Sequence, residues 1–317
     1  MKAFRYLTLD VFTATPFGGN QLAVFPDARG IPERHLQAIA REFNFSETTF
    51  VHPPDDPHHT RRVRIFTPGA ELPFAGHPTV GTAHALAATG QLALESPNAD
   101  GVSLTHLVLE ELVGPVPVTV RARGGVPEFA QLSVAKLPEL LEPPRPEPAV
   151  LAAVFSLRTD DLVLGDWAPQ AFSCGLPYLF VPVKTRDAVR RARVRPDLWQ
   201  MWLAGTPSSE AMIFALDAEQ PGHDVRARVF VPGLSVPEDP ATGSACAALA
   251  GYLVPRTGRD GREVRDGTLR WIVEQGVEMG RPSVIELEAD VVGRRITAVR
   301  VGGASVMMGE GTLKVPD

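Results

Sequence analysis

Residues 64–88, RIFTPGAELPFAGHPTVGTAHALAA, have a second, altered copy in residues 228–250, RVFVPGLSVPEDPATGSACAALA. Both copies contain an arginine, an aliphatic residue and a phenylalanine, then Pro-Gly, a further proline, and a run of small residues. The alignment matches four pairs: His77 with Asp239, Pro78 with Pro240, Gly81 with Gly243, and Thr82 with Ser244. Internal similarity of this kind indicates that one structural unit occurs twice in the chain.

Further matches extend the repeat in the same order. Upstream, Glu47 in SETTFV corresponds to Glu210 in SEAMIF, and the proline-rich segment 142–148, EPPRPEP, is typical of an extended linker between the halves. A length of 317 residues also favours two domains. We predict an N-terminal half over 1–124, a C-terminal half over 125–300, and a C-terminal strand segment, 301–317, that could return to the first half.

The local patterns predict many strands and few helices. Runs rich in β-branched and aromatic residues, such as RRVRIF and VRARVFV, are bounded by glycine and proline and are typical of strands. Residues 32–44 repeat apolar side chains at helical spacing, which predicts an outer helix with one buried face.

Two segments, 78–89 and 240–253, contain no Asp, Glu, Lys or Arg. A helix that is apolar on all sides must be buried on all sides, and each segment is too short to cross a bilayer. We therefore predict an α+β fold with two pseudo-repeated domains, each a curved mixed or antiparallel sheet wrapped around a central helix. The starts of the two central helices are expected to face a shared cleft.

Composition excludes several classes of function. The net charge is −6 and the basic residues are scattered, so we expect no nucleic-acid partner. The sequence has no signal peptide and no transmembrane span, so we expect no membrane partner and a cytoplasmic location. Two cysteines outside any metal-ligand spacing fit a reducing compartment and predict no metal site. The motifs of dinucleotide, P-loop, zincin and α/β-hydrolase sites are also missing.

The start of each central helix is a candidate anion site, because a helix start leaves backbone N–H groups unpaired. Glycines at Gly76, Gly81 and Gly243 would let a small carboxylate approach that backbone. The alternative for Asp239 is local capping, with Asp239 at the N-cap and Pro240 at the first helical position. The matched His77 is a poor cap, which favours different tasks for Asp239 and His77 at one site.

Glu47 is a third candidate, since it follows the outer helix and precedes the strand TTFV. A surface glutamate with only local partners is the ordinary alternative. The matched Glu210 indicates that a structural role applies to at least one of the two glutamates.

Together these motifs resemble those of the PhzF-like family of phenazine-biosynthesis isomerases, which are similar in fold to diaminopimelate epimerase. The resemblance rests on DVFTATPFGGNQLAVF, NFSETTFV, ELPFAGHPTVGTA and EDPATGSACAALAGYL, and it runs from about residue 7 to the C-terminal GEGTLKV. It implies a cofactor-independent isomerase, usually a homodimer, that acts on a small carboxylate-bearing molecule.

The resemblance also implies residue roles. Glu47 would be the general acid/base, and His77 and Asp239 would orient polar groups of the substrate. Gly76 and Ser244 would lie beside the substrate carboxylate, and Gly243 completes this predicted binding set.

Two other functions stay open on the sequence. One is an amino-acid epimerase or racemase that uses Glu47 and Asp239 as acids on opposite faces of the substrate. A mechanism with two thiols is disfavoured, because Cys246 lies within the apolar helix and Cys174 lies outside both cleft loops. The other is a small-carboxylate-binding protein without catalysis.

Overall fold

The structure is a computed structural model that describes residues 1–142, 146–206, 209–234, 236–257 and 266–317. The chain folds into two compact units. The first unit consists of Met1–Ala135 and Val301–Asp317, and the second unit of Lys136–Arg300. The predicted linker, 142–148, therefore follows the division, and its residues 143–145 lie outside the described part of the chain.

The regular elements follow one another in chain order. They are β1 (Lys2–Val11), β2 (Asn20–Phe25), α1 (Glu33–Phe43), β3 (Glu47–His52), β4 (Arg61–Phe66), β5 (Glu71–Leu72), α2 (Gly76–Ala88), β6 (Val102–Glu111), β7 (Gly114–Arg123), β8 (Val126–Ser133), β9 (Glu139–Leu141), α3 (Pro148–Val154), β10 (Gln170–Ser173), β11 (Pro177–Pro182), α4 (Arg186–Arg191), α5 (Pro196–Trp202), β12 (Ala211–Ala215), β13 (Val225–Val231), β14 (Val236–Asp239), α6 (Gly243–Leu253), β15 (Gly267–Gln275), β16 (Ser283–Val292), β17 (Arg295–Gly303) and β18 (Ser305–Val315).

The sheet pairings repeat between the units. In the first unit β2 pairs parallel with β3, β3 antiparallel with β4, β4 antiparallel with β5 and parallel with β6, and β6 antiparallel with β7. In the second unit β11 to β16 repeat these pairings, starting from the parallel pair β11–β12 and ending in the antiparallel pair β15–β16. The predicted duplication of a mixed-sheet unit is confirmed.

Each unit has a helix buried on all sides, as predicted from the absence of charge. Every residue of α2 from Gly76 to Ala87 is buried, and so is every residue of α6. Helix α2 contacts β1, β2, β3, β7 and β8, whereas α6 contacts β9, β10, β11 and β16. Strand β18 pairs antiparallel with β1 along its length and so belongs to the sheet of the first unit.

The outer helix is α1, and its boundaries follow from its end residues. Pro32 precedes it with an extended backbone, and Asn44 ends it in the left-handed conformation with φ of 51°. Leu36, Ile39 and Ala40 are buried against a cluster of phenylalanines from the sheet. No helix in the described ranges is long and apolar enough to serve as a membrane span.

The ends of β6 and β15 show how closely the units correspond. In each unit a glutamate accepts hydrogen bonds from two consecutive backbone N–H groups of a loop, and also contacts a histidine ring. The residues are Glu110 with Asp55, Asp56 and His59 in the first unit, and Glu274 with Glu219, Gln220 and His223 in the second.

Candidate functional site

Glu47 and His77 come together within the first unit. Glu47 is the first residue of β3, and His77 is the second residue of α2. The Glu47 Oε2 atom lies 3.2 Å from His77 Nε2, and the Glu47 side chain is 14% exposed while that of His77 is 3% exposed. Thus a partly accessible carboxyl group contacts a buried imidazole at a helix start.

Asn20, the first residue of β2, fixes the other side of the ring. Its Nδ2 lies 3.2 Å from His77 Nδ1. Burial lowers the pKa of His77 to about 3, so the ring is uncharged at neutral pH. The contact between His77 and Glu47 is therefore one between a neutral ring and a carboxyl group, and it is not an ion pair. The ring also forms a hydrogen bond with the backbone of Gln21.

The loop before β2 holds Asn20 in place. Asp10 is buried and accepts a hydrogen bond from the Phe17 backbone N–H at 2.7 Å. Gly19 has φ of 61°, and a Cβ atom there would lie 2.3 Å from the Val11 carbonyl oxygen. Only glycine fits such a backbone, and the resulting turn brings Asn20 to the His77 ring.

Strand β3 and helix α2 are also joined directly. The hydroxyls of Thr49 and Thr82 lie 2.9 Å apart, and both side chains are buried. One helical turn from His77, Gly81 packs against the sheet, because a Cβ there would approach Leu22 and Val11 to 2.6 Å. The interpretation of Gly81 as a point of ligand approach is wrong: this glycine is needed for close packing of the helix on the sheet.

Asp239 ends β14 in the second unit, and the alternative that it caps α6 is wrong. The helix begins at Gly243 with Thr242 at the N-cap position, so Pro240 is not its first residue. Thr242 Oγ1 donates to Asp239 Oδ2 at 2.6 Å. Asp239 thus stands in the segment leading to the helix, whereas the matched His77 lies inside the first turn of α2.

Gln275, the last residue of β15, explains the later start of α6. This fully buried side chain accepts from the Thr242 backbone N–H at 3.0 Å and donates to the Asp239 carbonyl oxygen at 2.7 Å. These bonds satisfy backbone groups outside a helix, so the segment from Asp239 to Thr242 stays non-helical.

Gly243 and Ser244 are the first two residues of α6. The Ser244 hydroxyl lies 2.8 Å from the hydroxyl of Tyr178, a fully buried residue of β11. Tyr178 therefore sets the direction of the Ser244 hydroxyl at the helix start. Gly76 is the first residue of α2 and is buried.

Glu210, the repeat partner of Glu47, has a structural environment. Ser209 donates to its Oε1 at 3.0 Å, and a Cβ at Gly233 would lie 2.3 Å from the same oxygen. Burial raises the pKa of Glu210. Of the two matched glutamates, Glu47 is the one beside a histidine.

Neither cysteine has the environment of a reactive thiol. Cys174 and Cys246 are free and buried. Burial raises the pKa of Cys174 to about 12 and also raises the pKa of Cys246. Both thiols are thus protonated at neutral pH, which argues against a mechanism with two thiolates.

Three residues at these sites were not identified from the sequence: Asn20, Tyr178 and Gln275. Asn20 lies within the motif FGGNQ, where the pair of glycines signals a tight approach of the backbone. The other two had no local signal, because Tyr178 is 66 residues from Ser244 and Gln275 is 33 residues from Thr242.

Comparisons with known proteins agree on one family. A family model described as "Phenazine biosynthesis-like protein" matches residues 9–311. An uncharacterized isomerase of Mesorhizobium japonicum is 41% identical, with 99% of both chains covered. The trans-2,3-dihydro-3-hydroxyanthranilate isomerase of Pseudomonas aeruginosa is 33% identical, covering 97% of this chain and 98% of that one. The crystal structure of a PhzF-family phenazine biosynthesis protein of Bacillus anthracis has a TM-score of 0.86 at 25% identity, covering 99% of this chain and 100% of that one.

Proposed function

The chain belongs to the phenazine biosynthesis-like (PhzC-PhzF) family of isomerases, and from this premise we propose its chemistry. The enzyme moves a proton within a small carboxylate-bearing metabolite by general acid/base catalysis and uses no cofactor. Glu47 is the group that takes up and returns the proton.

The contact between Glu47 and His77 is the observation that carries this proposal. A general base needs a carboxyl group that a substrate can reach, and Glu47 remains partly exposed. His77 is held by Asn20 and stays uncharged because burial lowers its pKa to about 3. It can therefore orient a polar group of the substrate by hydrogen bonding without forming a salt bridge that would hold the Glu47 carboxylate in its ionised form.

Four further residues take part in the proposed reaction. Asp239 orients a polar group of the substrate, and Gly76, Gly243 and Ser244 bind its carboxylate. Backbone N–H groups at a helix start favour an anion, and Ser244 adds a hydroxyl whose direction Tyr178 sets.

The reaction needs one group that is first a base and then an acid. Glu47 removes a proton from carbon, and the C–H electron pair enters the conjugated system of the substrate. The proton on Glu47 exchanges with solvent, Glu47 then delivers a proton to a second carbon, and a double bond shifts. Substrate and product have the same composition, so no oxidant, reductant or leaving group is involved. Donors near the substrate carboxylate stabilise the negative charge that develops.

The function is tested by following proton transfer in D₂O by NMR. Trans-2,3-dihydro-3-hydroxyanthranilate, the substrate named for the Pseudomonas relative, is the first compound, followed by a panel of small carboxylates. We expect an isomer that carries deuterium at a single carbon, and the same rate after treatment with a chelator. Compounds that raise the melting temperature but are recovered unchanged would instead support a binding protein without catalysis.

The alternative of an epimerase or racemase makes a different product. It would use Glu47 and Asp239 as acids on opposite faces of one carbon and would invert that carbon. Polarimetry of single-enantiomer amino acids distinguishes the two functions. Loss of optical rotation without a shift of a double bond would favour the epimerase.

We also propose a homodimer that works in the cytoplasm. The family resemblance supports the dimer, and two free thiols are compatible with a reducing compartment. Light scattering after size-exclusion chromatography tests the dimer, with a mass near twice 34.2 kDa expected. A mass of one chain would contradict it.

A further inference from the structure

Glu111 and Gln275 occupy equivalent positions in the two units. Glu111 directly follows Glu110, and Gln275 directly follows Glu274, the glutamates that accept hydrogen bonds from loop N–H groups. Each is also the last residue of its strand, β6 for Glu111 and β15 for Gln275. The parallel strand pairs have the same register, with Arg62 opposite Glu110 and Arg226 opposite Glu274. One unit therefore has a carboxyl group where the other has an amide.

In the second unit the amide starts a chain of hydrogen bonds. Gln275 Nε2 donates to Thr242 Oγ1 at 2.9 Å, and Thr242 Oγ1 donates to Asp239 Oδ2 at 2.6 Å. An amide nitrogen always carries hydrogen. The donor at the end of β15 is therefore present at every pH.

In the first unit Thr79, in the first turn of α2, has two partners. Its Oγ1 lies 2.7 Å from the Ala75 carbonyl oxygen and 2.5 Å from Glu111 Oε1. The Thr79 hydroxyl has a single hydrogen, and a carbonyl oxygen can only accept. Both contacts are therefore hydrogen bonds at the same time only if the Glu111 carboxyl group carries a proton and donates it to Thr79.

The environment of Glu111 favours that protonated form. The side chain is buried, and its second oxygen, Oε2, has no hydrogen-bond partner in the part of the chain that the structure describes. Ionising a carboxyl group in such a place costs several kilocalories per mole. Burial accordingly raises the pKa of Glu111 to about 8.

Charged groups near Glu111 are already paired among themselves. These groups line a groove of about 680 Å³ that also includes Glu111. The charged residues of the groove are Glu33 of α1, Asp55 and His59 of the loop between β3 and β4, Arg62 and Arg64 of β4, Glu71 of β5 and Glu110 of β6. Arg64 binds Glu71 and Glu33, Arg62 binds Asp55, and His59 contacts Glu110. On α2 itself, burial keeps both His77 and His84 uncharged at neutral pH by lowering their pKa values. No described cation pairs with Glu111.

We propose that Glu111 is a positioning residue that, as a protonated acid, holds the first turn of α2 and so places Gly76 and His77. Glu111 donates to the Thr79 hydroxyl through a group that can lose its hydrogen, whereas Gln275 donates to the Thr242 hydroxyl through an amide that cannot. Ionisation of Glu111 removes one of the two hydrogens, so the Thr79 hydroxyl can then bond either the carboxylate or the Ala75 carbonyl oxygen, and the first turn of α2 loses one bond. The effect on catalysis rests on the proposed function, whereas the protonation itself does not.

The sign of the effect on stability follows from the pKa of Glu111. It is about 8 in the folded protein, against an ordinary glutamate pKa of 4.5, so between these values the folded state binds more protons than the unfolded state. Stability then falls as the pH rises through this window. His77 and His84 act in the opposite direction, mainly below 6.5. Their contribution is the same in wild type and in Glu111→Gln, so the difference between these two proteins over the interval from 6.5 to 8 reports Glu111.

The test compares Glu111→Gln with wild type and with Glu42→Gln, which changes an exposed glutamate of α1. The melting temperature of each full-length protein is measured at pH 6.5 and at pH 8, the limits of that interval. We expect wild type and Glu42→Gln to lose stability over this interval, and Glu111→Gln to lose much less. An equal loss in all three proteins would overturn the proposal.

Infrared spectroscopy of wild type and Thr79→Val provides a readout that does not depend on Glu111→Gln folding. We expect the carbonyl band of a protonated carboxylic acid at neutral pH, and a change in its frequency when Thr79→Val removes the hydroxyl acceptor. A spectrum that Thr79→Val leaves unchanged would contradict the assignment.

The pH profile of deuterium incorporation tests the positioning role. The alkaline decline in wild type is expected to move to higher pH in Glu111→Gln, while Glu42→Gln keeps the wild-type profile. An unmoved alkaline limb would refute the role in catalysis. If wild type incorporates no deuterium from any substrate tried, the proposed function fails, and the melting and infrared results still decide the protonation of Glu111.

Discussion

Asn20 shows how one side chain can orient a neighbouring ring at the proposed site. Its amide contacts the ring nitrogen of His77 that faces away from Glu47. This contact helps to fix the orientation of the ring beside Glu47.

We predict that Asn20→Ala lowers kcat by about 10-fold to 100-fold, since small errors in placing a catalytic group are costly. The loss of a buried hydrogen bond should also reduce the free energy of unfolding by about 1 to 3 kcal/mol. Deuterium incorporation and urea unfolding measure the two effects. A variant with unchanged kcat would show that Asn20 does not position His77.

Single-residue reasoning from the sequence identified Glu47 and His77 because each lies in a distinctive motif. The 3.2 Å contact between them could not be predicted from the sequence, since the residues are 30 positions apart and meet only when α2 packs beside β3. Asn20 is 57 residues from His77. Partners at such separations are set by the sheet pairing, for which the local sequence has no direct signal.

At the scale of elements, α2 depends on how closely it packs against the sheet. Gly81 faces Leu22 and Val11 in the core, where an added Cβ would come within 2.6 Å of a side-chain carbon of each. Alanine normally favours a helix over glycine by up to about 1 kcal/mol. Here the crowding should outweigh this gain.

We predict that Gly81→Ala lowers the free energy of unfolding by about 1 to 3 kcal/mol, the usual cost of overpacking a core. Gly69→Ala is the matched control, because its Cβ would meet only Thr67 Oγ1 at an ordinary 3.7 Å. Chemical denaturation measures both variants. A Gly81→Ala protein as stable as Gly69→Ala would show that the helix can shift without cost.

The central helices were predictable because a segment without charge has to be buried. The start of α6 was not, because Gln275, which comes 33 residues after Thr242, holds the residues before Gly243 outside the helix. Helices α3, α4 and α5 were missed for another reason. Each has only six or seven residues, which is too short for an apolar period to be recognised.

On the scale of the whole molecule, duplication lets one unit serve as a control for the other. In each unit an arginine binds a glutamate and lies over a phenylalanine ring. In the first unit Arg64 of β4 binds Glu71 and lies over Phe66. In the second unit Arg228 of β13 binds Glu238 and lies over Phe230. The pair in the second unit is less exposed, at 4% and 17% against 20% and 24%. Arg228 also donates to backbone carbonyl groups at the end of α4.

We predict that Arg228→Gln costs about 3 to 5 kcal/mol of stability, since it leaves a half-buried carboxylate and several carbonyl groups without their buried cation. Arg64→Gln should cost about 1 kcal/mol or less, because water can replace its more exposed pair. The two variants are compared by urea unfolding. Equal costs would mean that the difference in burial does not govern the strength of these pairs.

The duplicated architecture was the most predictable feature of the fold. Matching residues such as Arg64 and Arg228 recur because equivalent strands impose equivalent environments, so similarity of sequence reports similarity of structure. The different fates of Glu47 and Glu210 were less accessible. Ser209 and the close approach of Gly233 make Glu210 a packing residue, and these contacts exist only in the folded unit.

Deuterium transfer by Glu47→Gln tests the central claim most directly. The substitution keeps the size of the side chain and removes its ability to carry a proton to and from carbon, and Glu42→Gln controls for the loss of one negative charge. The account predicts that Glu47→Gln retains its fold and loses at least about 100-fold of the wild-type incorporation rate, while Glu42→Gln keeps it. Wild-type incorporation by folded Glu47→Gln would contradict the account.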